Sequence, residues 1–327
     1  MSKTVVVTGG TGYIGSHVAR AFKLDNPDNK VHIIDLVRRE HALKGIDGFL
    51  GSDFVGVGSL NLYKELQPDI IVHCAGTSLV GPSMINPSDY YSNNVSKTIS
   101  FLNFIKDFKK KPIILFSSSA SVYGEPKEIP VPESHSLNPI SPYGNTKRII
   151  ETVLNDYSRA YGISSTIFRY FNAAGAEPNS HDLGQEAGAT HIVARALEAS
   201  LNNNEFIING NNYPTPDGTC IRDYIHVWDL AIAHIRAADY TQNNPGCHIF
   251  NLGTNKGTSN QEIANYVKEK YSFKSVSYGP KRPGDPSELV ADASMAMEKL
   301  TWTPKHSKIS NIIDDAYRWY QYINGTN

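Results

Sequence analysis

Residues 8–15 read Thr-Gly-Gly-Thr-Gly-Tyr-Ile-Gly, between an apolar run at residues 5–7 and a helical stretch at residues 16–22. Glycines at this spacing permit a tight turn, a close approach of the backbone to a pyrophosphate, and close contact between helix and strand. The amino terminus of the helix offers free N–H groups and the positive end of a dipole to the phosphates. The sequence therefore predicts a strand–loop–helix unit that binds a dinucleotide. The loop residues expected at the cofactor are Gly9, Gly12, Tyr13, Ile14 and Gly15.

Outward from this loop, short apolar runs alternate with helical stretches up to about residue 170. The runs are continuous, which is typical of parallel strands that helices cover on both faces. Between residues 95 and 108, apolar side chains recur every three or four positions, which indicates an amphipathic helix. We predict a doubly wound parallel α/β sheet of the Rossmann type. The predicted strands are residues 5–7, 31–34, 70–73, 113–116 and 165–168.

The pattern loosens after residue 175. Gly, Asn, Pro and Asp cluster at residues 175–188 and 209–219, which predicts long loops. We predict a dinucleotide-binding Rossmann domain at residues 1–175. A second, smaller α/β region at residues 176–327 would pack at the carboxyl edge of the sheet, where open α/β sheets bind ligands. Its helices are predicted at residues 190–201, 228–240, 260–270 and 310–322.

The composition of the 327 residues is that of an ordinary globular protein, with 40% hydrophobic and 19% charged residues. It excludes a disordered or collagen-like chain. Lys and Arg number 31 against 32 Asp and Glu, so nothing suggests a basic surface for nucleic acid. The histidines form no HExxH motif, and we expect no metal site.

The expected compartment is the cytoplasm. Three cysteines far apart in the sequence favour a reducing environment. No apolar run approaches the ~20 residues of a membrane helix, and the amino terminus lacks the pattern of a signal peptide. We therefore expect a soluble protein without a membrane partner.

Asp35 ends the second predicted strand, twenty residues beyond Gly15. A carboxylate at this position accepts hydrogen bonds from an adenosine ribose and repels a 2′-phosphate, which favours NAD over NADP. Arg38 and Arg39 follow closely, and either guanidinium could instead pair with a 2′-phosphate. We interpret both arginines as solvated loop charges and expect NAD as the cofactor.

Two segments predict catalytic chemistry. Residues 116–119 end a buried strand with three serines, where side chains emerge at the ligand edge. Ser141 and Pro142 suit the N-cap and the first position of the next helix. Tyr143 and Lys147 then lie one turn apart on the same helix face.

This spacing suits a tyrosine base. A free phenol has a pKa of ~10, so only about one in a thousand is ionised at pH 7. The ammonium four residues on, a nicotinamide cation and the helix amino terminus would all stabilise the phenolate, and about 4 kcal/mol lowers the pKa by ~3 units. Tyr143 could then remove a proton from a hydroxyl while hydride leaves the same carbon for NAD. A strand-end serine could orient that oxygen.

Five stretches carry a resemblance to a known family, and the resemblance runs over essentially the whole chain. They are TGGTGYIGSH (8–17), SSSASVYG (117–124), SPYGNTK (141–147), RYFNAAG (169–175) and YPTPDGTCIRDYIHVWDL (213–230), of which the last is the most specific. The chain resembles the UDP-glucose 4-epimerase family of extended short-chain dehydrogenases/reductases.

The resemblance implies an isomerase of carbohydrate and galactose metabolism that acts on UDP-glucose and UDP-galactose. A tightly held NAD takes hydride from C4 of the sugar, the 4-keto sugar swings over, and hydride returns to its opposite face. Tyr143 would be the catalytic base, Lys147 its electrostatic partner and a cofactor ligand, and Ser119 the ligand of the sugar hydroxyl. The resemblance also implies a homodimer. The helices at residues 95–108 and 143–157 could bury their faces across its two-fold axis or in the core, and the sequence leaves both alternatives open.

The resemblance assigns further residues to the two ligands. Asp53 and Phe54 would flank the adenine, Phe171 would lie near the nicotinamide, and Asn172 would contact the diphosphate of the nucleotide sugar. The remaining cofactor residues would be Cys74, Ala75, Gly76, Ser78 and Asn93, and the remaining substrate residues would be His191, Ile192, Asn209 and Leu289.

Two arginines of the second region suit a diphosphate. Arg222 and Arg282 lie in stretches rich in Gly, Pro and Asp, which predicts loops, and two guanidinium groups could clamp the phosphates. Asp285 could accept a hydrogen bond from a ribose hydroxyl. In the alternative interpretation, the arginines are surface charges paired with Asp217 or Asp223.

Three positions distinguish this chain within the family. Ser78 stands where a lysine is usual, which would weaken contacts to the cofactor. Asn209 stands where an aromatic residue often holds the uracil, and an amide offers less stacking area. Leu289 is smaller than the tyrosine of strict enzymes and larger than the serine or cysteine of tolerant ones, so acceptance of N-acetyl sugars stays open.

The residues that follow the strand-end serine bear on which reaction of the family this chain catalyses. A sugar 4,6-dehydratase needs an acid just after the strand-end serine, normally Asp-Glu, but Ala120 and Ser121 stand there. The missing glutamate also disfavours decarboxylation of UDP-glucuronate. Epimerases of UDP-N-acetylglucosamine, UDP-arabinose or UDP-glucuronate share the same machinery and stay open. An NAD-binding redox sensor could dispense with the serine, tyrosine and lysine that this chain retains.

Overall fold

The computed structural model of the chain describes residues 2–281 and 285–325. Strands and helices alternate along the first half, as the sequence predicts. The strands are β1 (Thr4–Thr8), β2 (Lys30–Asp35), β3 (Gly48–Gly51), β4 (Ile70–His73), β5 (Ile113–Ser119), β6 (Ser165–Tyr170), β7 (Asn172–Ala174), β8 (Glu205–Asn209), β9 (Ile221–His226), β10 (Cys247–Leu252), β11 (Gly257–Ser259), β12 (Ser275–Gly279) and β13 (Glu288–Leu289). The α-helices are α1 (Tyr13–Asp25), α2 (Glu40–Leu43), α3 (Val57–Leu66), α4 (Val80–Ile85), α5 (Pro87–Tyr90), α6 (Lys97–Ile105), α7 (Pro142–Tyr161), α8 (Ile192–Leu201), α9 (Val227–Asn243), α10 (Asn260–Tyr271), α11 (Ser294–Lys299) and α12 (Ile309–Ile323).

Seven strands form a central parallel sheet in the order β10-β6-β5-β4-β1-β2-β3. The five predicted strands are all in it, and their central residues are buried because helices cover both faces. The predicted doubly wound α/β fold is thus confirmed. The sequence did not predict β3 or β10, because β3 is a half-buried edge strand with glycine at both ends and β10 carries polar residues.

The strand order reverses at β1, which lies between β2 and β4. Thr8 at the end of β1 is in register with His73 at the end of β4. The loops after these two strands leave the sheet side by side and open a crevice between them. In sheets of this kind, that crevice is where ligands bind.

The second half of the chain returns to the central sheet. β10 pairs with β6 from Cys247 opposite Ser165 to Leu252 opposite Tyr170, and α9 packs against α1 in the same apolar core. The central sheet therefore contains strands from both predicted units, with β10 of the second unit at its edge. The division into residues 1–175 and 176–327 stays a prediction.

The rest of the second half forms a smaller layer beside the carboxyl edge of the central sheet. Strands β7, β9, β11 and β13 make one small sheet, and β8 pairs with β12. The later helices predicted from the sequence appear as α8, α9, α10 and α12. The apolar faces of α8, α10 and α12 enclose a second core, in which Trp319 and Tyr320 of α12 are buried.

The helix predicted at residues 95–108 is shorter and differently wound. A π-helical turn at Tyr91–Ser96 leads into α6, which ends at Ile105. Lysines at 109–111 and a proline at 112 follow, and a proline cannot continue a helix. Within residues 2–281 and 285–325, no helix has the length and apolar character needed to cross a bilayer.

Candidate active site

A cavity of about 780 Å³ opens at the carboxyl ends of the central strands. Its wall includes the glycine loop after β1, the end of β2, the loop after β4, and the ends of β5 and β6. Every residue that the sequence predicts at the cofactor lines this cavity. These residues are Gly9, Gly12, Tyr13, Ile14, Gly15, Asp35, Asp53, Phe54, Cys74, Ala75, Gly76, Ser78, Asn93, Lys147 and Phe171.

The glycine loop has no room for side chains. Gly9 has φ +66°, and a Cβ there would lie 2.7 Å from the backbone nitrogen of Ala75. A Cβ on Gly15 would run into the carbonyl oxygen of Gly9. Gly12 is the N-cap of α1 and has no side chain to occupy the free N–H groups of the first helical turn. This cradle fits the pyrophosphate of a dinucleotide.

Asp35 joins the glycine loop to the end of β2. Its Oδ2 accepts a hydrogen bond from the backbone N–H of Thr11 at 3.0 Å, and its Oδ1 accepts one from the N–H of Val37 at 3.1 Å. The remaining lone pairs of a carboxylate at the cavity wall can accept from a ribose diol.

The two arginines after β2 differ in environment. Arg38 pairs with Glu40 at 2.7 Å on the surface, where 58% of the arginine side chain is exposed, so its interpretation as a solvated charge is confirmed. Arg39 is no solvated charge, because its side chain lines the cavity and forms an ion pair with Glu186. The sequence interpretation of Arg39 was wrong because Glu186 lies 147 residues away along the chain.

Beside the predicted adenine site, Asp53 carries an ion pair. The Nζ of Lys97 in α6 lies 2.6 Å from Asp53 Oδ2, and Phe54 is buried behind it. Lys97 lines the same cavity as Ser78, so the wall holds a cation close to Asp53. No sequence motif marks Lys97, which stands among polar residues at the start of a helix.

The predicted start of α7 is confirmed. Ser141 is the N-cap, its Oγ accepts from the N–H of Gly144 at 3.1 Å, and Pro142 is the first helical residue. Tyr143 and Lys147 are both buried, and Lys147 Nζ lies 5.8 Å from the centroid of the Tyr143 ring. Both side chains line the cavity together with Ser119.

Burial sets the ionisation of both groups. It raises the pKa of Tyr143 to about 12, against a smaller lowering by the hydrogen bond with Ser119. It also lowers the pKa of Lys147 to about 8, against smaller opposite effects of Cys74 and Glu151. Desolvation of Tyr143 therefore opposes the stabilisation of a phenolate by nearby positive charges, on which the predicted lowering of its pKa depends. The chain's own groups therefore do not ionise Tyr143 at neutral pH.

On the substrate side, five predicted residues line the cavity: Ser119, Tyr143, Asn172, His191 and Leu289. Ile192 does not, because it begins α8 and packs against the second core. Asn209 ends β8 away from the cavity wall.

Arg222 is in a different place from the one the sequence predicts. It lies in β9 rather than in a loop, and its side chain is buried. Its carboxylate partner is Asp285, rather than Asp217 or Asp223, and it also donates to the carbonyl oxygen of Pro286 at 2.7 Å. Neither Arg222 nor Asp285 lines the cavity. Arg282 lies outside the described residues.

Residues 5–253 match the model of the NAD dependent epimerase/dehydratase family. The chain belongs to this family. It is 38% identical to the UDP-glucose 4-epimerase of Lactobacillus helveticus over 97% of both chains. Among solved structures, the UDP-glucose 4-epimerase from Brucella ovis in complex with NAD has a TM-score of 0.90 at 36% identity, covering 97% of this chain and 98% of that one. The Bifidobacterium longum UDP-glucose 4-epimerase in complex with NAD+ and UDP has a TM-score of 0.89 at 32% identity, over 98% and 99% of the chains.

In this member of the epimerase/dehydratase family, a buried hydrogen-bonded chain supports the cavity floor. The Oγ of Ser117 lies 3.0 Å from the hydroxyl of Tyr170, which lies 2.7 Å from Nε2 of His234. His234 Nδ1 lies 2.8 Å from the carbonyl oxygen of Leu230, which assigns the ring proton to Nδ1. Burial lowers the pKa of His234 to about 4, so the ring is neutral and accepts from Tyr170.

A second buried network lies below Lys147. Glu151, one turn further along α7, forms an ion pair with Arg169 of β6 at 2.7 Å and accepts a hydrogen bond from Ser118 of β5. It ties α7 to both β5 and β6, whose ends line the cavity. The sequence reasoning missed these residues because Arg169 and Glu151 meet only through the strand order. Within the described part of the chain, no group of three or more His, Cys, Asp and Glu side chains could hold a metal ion.

Proposed function

We propose that this chain interconverts UDP-glucose and UDP-galactose by inverting C4 of the hexose, with NAD as the cofactor. The observation that carries the proposal is that Tyr143, Lys147 and Ser119 line the same cavity as the glycine cradle. A sugar carbon beside the tyrosine would therefore lie within reach of a dinucleotide. The relatives from Lactobacillus helveticus, Brucella ovis and Bifidobacterium longum support this proposal, since each is a UDP-glucose 4-epimerase.

Tyr143 is the proposed base. When bound, NAD accepts hydride from C4 and later returns it to the other face of the 4-keto sugar. Tyr143 takes the proton of the C4 hydroxyl as hydride leaves and gives it back on return. Because burial raises the pKa of Tyr143 to about 12, positive charge on the cofactor and on Lys147 is needed to bring the phenol into its working range.

Lys147 and Ser119 are proposed to position the reacting groups. Lys147 Nζ donates one hydrogen bond to the carbonyl oxygen of Ser117 at 2.7 Å. Its two other N–H groups can donate to the cofactor ribose and to the tyrosine oxygen. Ser119 Oγ accepts from the N–H of Ser121 at 3.1 Å and donates to Ser121 Oγ at 3.1 Å. Ser119 lines the cavity, where its hydroxyl would exchange the Ser121 contact for the sugar oxygen. Neither Ser121 nor Ala120 offers the acid that a dehydratase needs.

The remaining residues of the cavity wall are proposed to bind the cofactor and the UDP-sugar. The cofactor-lining residues named above would hold NAD, with Asp35 on the adenosine ribose and Asp53 and Phe54 at the adenine. Phe171 would contact the nicotinamide, and Asn172 and His191 would contact the UDP-sugar. Arg222 and Asp285 would not contact the nucleotide from the cavity wall. Their ion pair would instead support the wall, since Arg222 pairs in register with the cavity residue Leu289. Ile192, Asn209 and Arg282 stay predictions.

The test is direct. Purified protein is incubated with UDP-galactose, UDP-N-acetylgalactosamine and UDP-xylose in separate tubes, and the products are followed by NMR. We expect UDP-glucose from UDP-galactose, and a loss of at least a thousandfold in kcat for Tyr143→Phe. The matched control is Tyr161→Phe, on the exposed end of α7, which should keep wild-type activity. Full activity in Tyr143→Phe would refute the assignment of the base.

Leu289 favours a second candidate substrate class. It lines the cavity on β13, where its size leaves more room than a tyrosine would. UDP-N-acetyl sugars could then enter as well as UDP-hexoses. The N-acetylgalactosamine tube decides this point, since turnover there would extend the activity to both classes.

The proposed assembly is a homodimer in the cytoplasm. All three cysteines are free thiols, in keeping with a reducing compartment. The outer faces of α6 and α7 lie side by side, joined by a hydrogen bond from Tyr157 to Asn103 at 2.9 Å, and would form the two-fold contact. Light scattering should give a mass of twice 36.1 kDa; a monomer at micromolar concentration would contradict this.

A further inference from the structure

At the adenosine end of the cavity, Asp35 and Arg39 both contact Thr11. Asp35 accepts from the backbone of Thr11 at 3.0 Å, and Arg39 Nη1 donates to the hydroxyl of Thr11 at 3.2 Å. Asp35 and Arg39 both line the cavity. Arg39 is therefore the guanidinium that a phosphate on the adenosine ribose would meet beside Asp35.

Glu186, which does not line the cavity, forms an ion pair with the Arg39 guanidinium. Its carboxylate is bound in a fork, by Arg39 Nη2 at 3.0 Å and by Arg39 Nε. With Nη1 on Thr11, all three nitrogens of the guanidinium have partners. Such fork geometry is the one by which arginine would bind a phosphate, so carboxylate and phosphate compete for the same donors.

The position of Glu186 is fixed by the carboxyl-terminal helix. Trp319 of α12 donates to the carbonyl oxygen of Gln185 at 2.6 Å, and the hydroxyl of Tyr320 donates to that of Glu186 at 3.3 Å. Gly184 lies against the indole, where a Cβ would clash. The carboxylate thus belongs to a segment that the second core holds in place.

We infer that Glu186 is a cofactor-specificity residue, which excludes NADP by holding the Arg39 guanidinium away from a 2′-phosphate. The inference rests on the proposed use of NAD and adds a second residue to Asp35 at the adenosine ribose. Asp35 and Glu186 together carry two negative charges against the single positive charge of Arg39, and this net negative charge repels a phosphate. Without the Glu186 charge, the Nε and Nη2 donors of Arg39 can bind a phosphate, and the positive charge of Arg39 is no longer neutralised.

The neighbouring pair supplies a matched control. Arg38 and Glu40 form the same kind of ion pair one residue earlier, but on the open surface and outside the cavity wall. Glu40→Gln therefore changes the net charge by the same amount as Glu186→Gln without touching Arg39. A general effect of charge would appear in both variants, and an effect through Arg39 would appear in one.

The experiment measures which nucleotide the protein retains. Wild type, Glu186→Gln, Glu40→Gln and the double variant Arg39→Gln/Glu186→Gln are freed of nucleotide and equilibrated with equimolar NAD and NADP. The bound fraction is then released with acid and quantified by chromatography. We expect the NADP:NAD ratio to rise about tenfold in Glu186→Gln, since an arginine–phosphate bond is charge-assisted. The ratio should stay at the wild-type value in Glu40→Gln and in the double variant.

Two results would overturn the inference: an unchanged ratio in Glu186→Gln, or an equal rise in Glu40→Gln. Glu186→Ala should reproduce the rise, and the increase in melting temperature on adding NADP gives a second reading for any variant that binds poorly. Epimerisation of UDP-galactose is measured separately on the NAD-loaded proteins. A lack of epimerisation in wild type would refute the proposed function and leave the nucleotide ratio interpretable.

Discussion

Lys147 donates from Nζ to the carbonyl oxygen of Ser117 at 2.7 Å, so that α7 is tied to the end of β5 through the ammonium itself. The same nitrogen lies 4.9 Å from the centroid of the Phe116 ring, in contact with the π face. Both contacts hold the charge at one place in the cavity wall. The cost is desolvation, which lowers the pKa of Lys147 to about 8.

The first prediction concerns the pH dependence of catalysis. Because the pKa of Lys147 lies near 8 in the fold, we expect kcat/KM to fall above pH 8 as the ammonium loses its proton. Lys147→Arg keeps its charge to higher pH, so its profile should stay level beyond pH 8, at a lower maximum. A fall at the same pH in both proteins would contradict the assignment to Lys147.

Stability should change with pH in the opposite sense. The unfolded lysine keeps its proton up to about pH 10.5, whereas the folded one releases it near pH 8. Between these values the unfolded chain binds more protons, so the free energy of unfolding rises with pH. Urea unfolding at pH 7 and at pH 10 should show that the free energy of unfolding of wild type, relative to that of Lys147→Met, is larger at pH 10 than at pH 7.

The buried pair of Glu151 and Arg169 provides a stability test. Glu151→Gln leaves the Arg169 guanidinium buried without its counter-ion, which should cost about 3–5 kcal/mol. Asp107→Asn breaks an exposed pair with Lys106, in which the aspartate side chain is 76% exposed, and should cost less than about 1 kcal/mol. Urea denaturation measures both. Equal effects of the two substitutions would show that the buried pair does not act as described.

The glycine cradle predicts a loss of cofactor without a general loss of fold. Gly9→Ala places a Cβ 2.7 Å from the backbone of Ala75 at φ +66°, so we expect the NAD that copurifies to fall at least about tenfold. Gly58→Ala is the control, because in α3 a Cβ there meets only Leu50 methyl groups at 3.8 Å. That variant should be as stable as wild type or up to about 1 kcal/mol more stable. Full NAD content in Gly9→Ala would mean that the dinucleotide does not approach this loop.

Leu289 predicts how the choice of sugar changes with size. Leu289→Tyr should reduce kcat/KM for UDP-N-acetylgalactosamine relative to UDP-galactose by about tenfold, and Leu289→Ser should raise the ratio. Ile207→Ser, an exposed residue outside the cavity, should leave it unchanged. NMR rates with each substrate give the ratio. If the tyrosine and serine variants shift it equally, size at this position does not select the sugar.

The parts of the molecule that sequence reasoning predicted are those where local pattern decides. The glycine loop, the continuous apolar strands and the Ser141–Pro142 helix start all depend on neighbours within a few residues. The pairs Arg39–Glu186 and Glu151–Arg169 depend on the order of strands and on distant loops, which periodicity does not report. Arg222 was placed in a loop because glycines and prolines surround it, yet pairing with β11 and β13 makes it part of a strand.

The return of β10 to the central sheet has a consequence for synthesis. Residues 247–252 emerge after about three quarters of the 327 residues have been translated. Until then, β6 is an unpaired edge and α1 has no α9 to cover it, so the nascent nucleotide-binding half exposes a template for association with other chains. Expression of residues 1–175 alone should therefore give aggregates, and a two-fragment split should recover a folded protein only when the fragment containing β10 is supplied alongside.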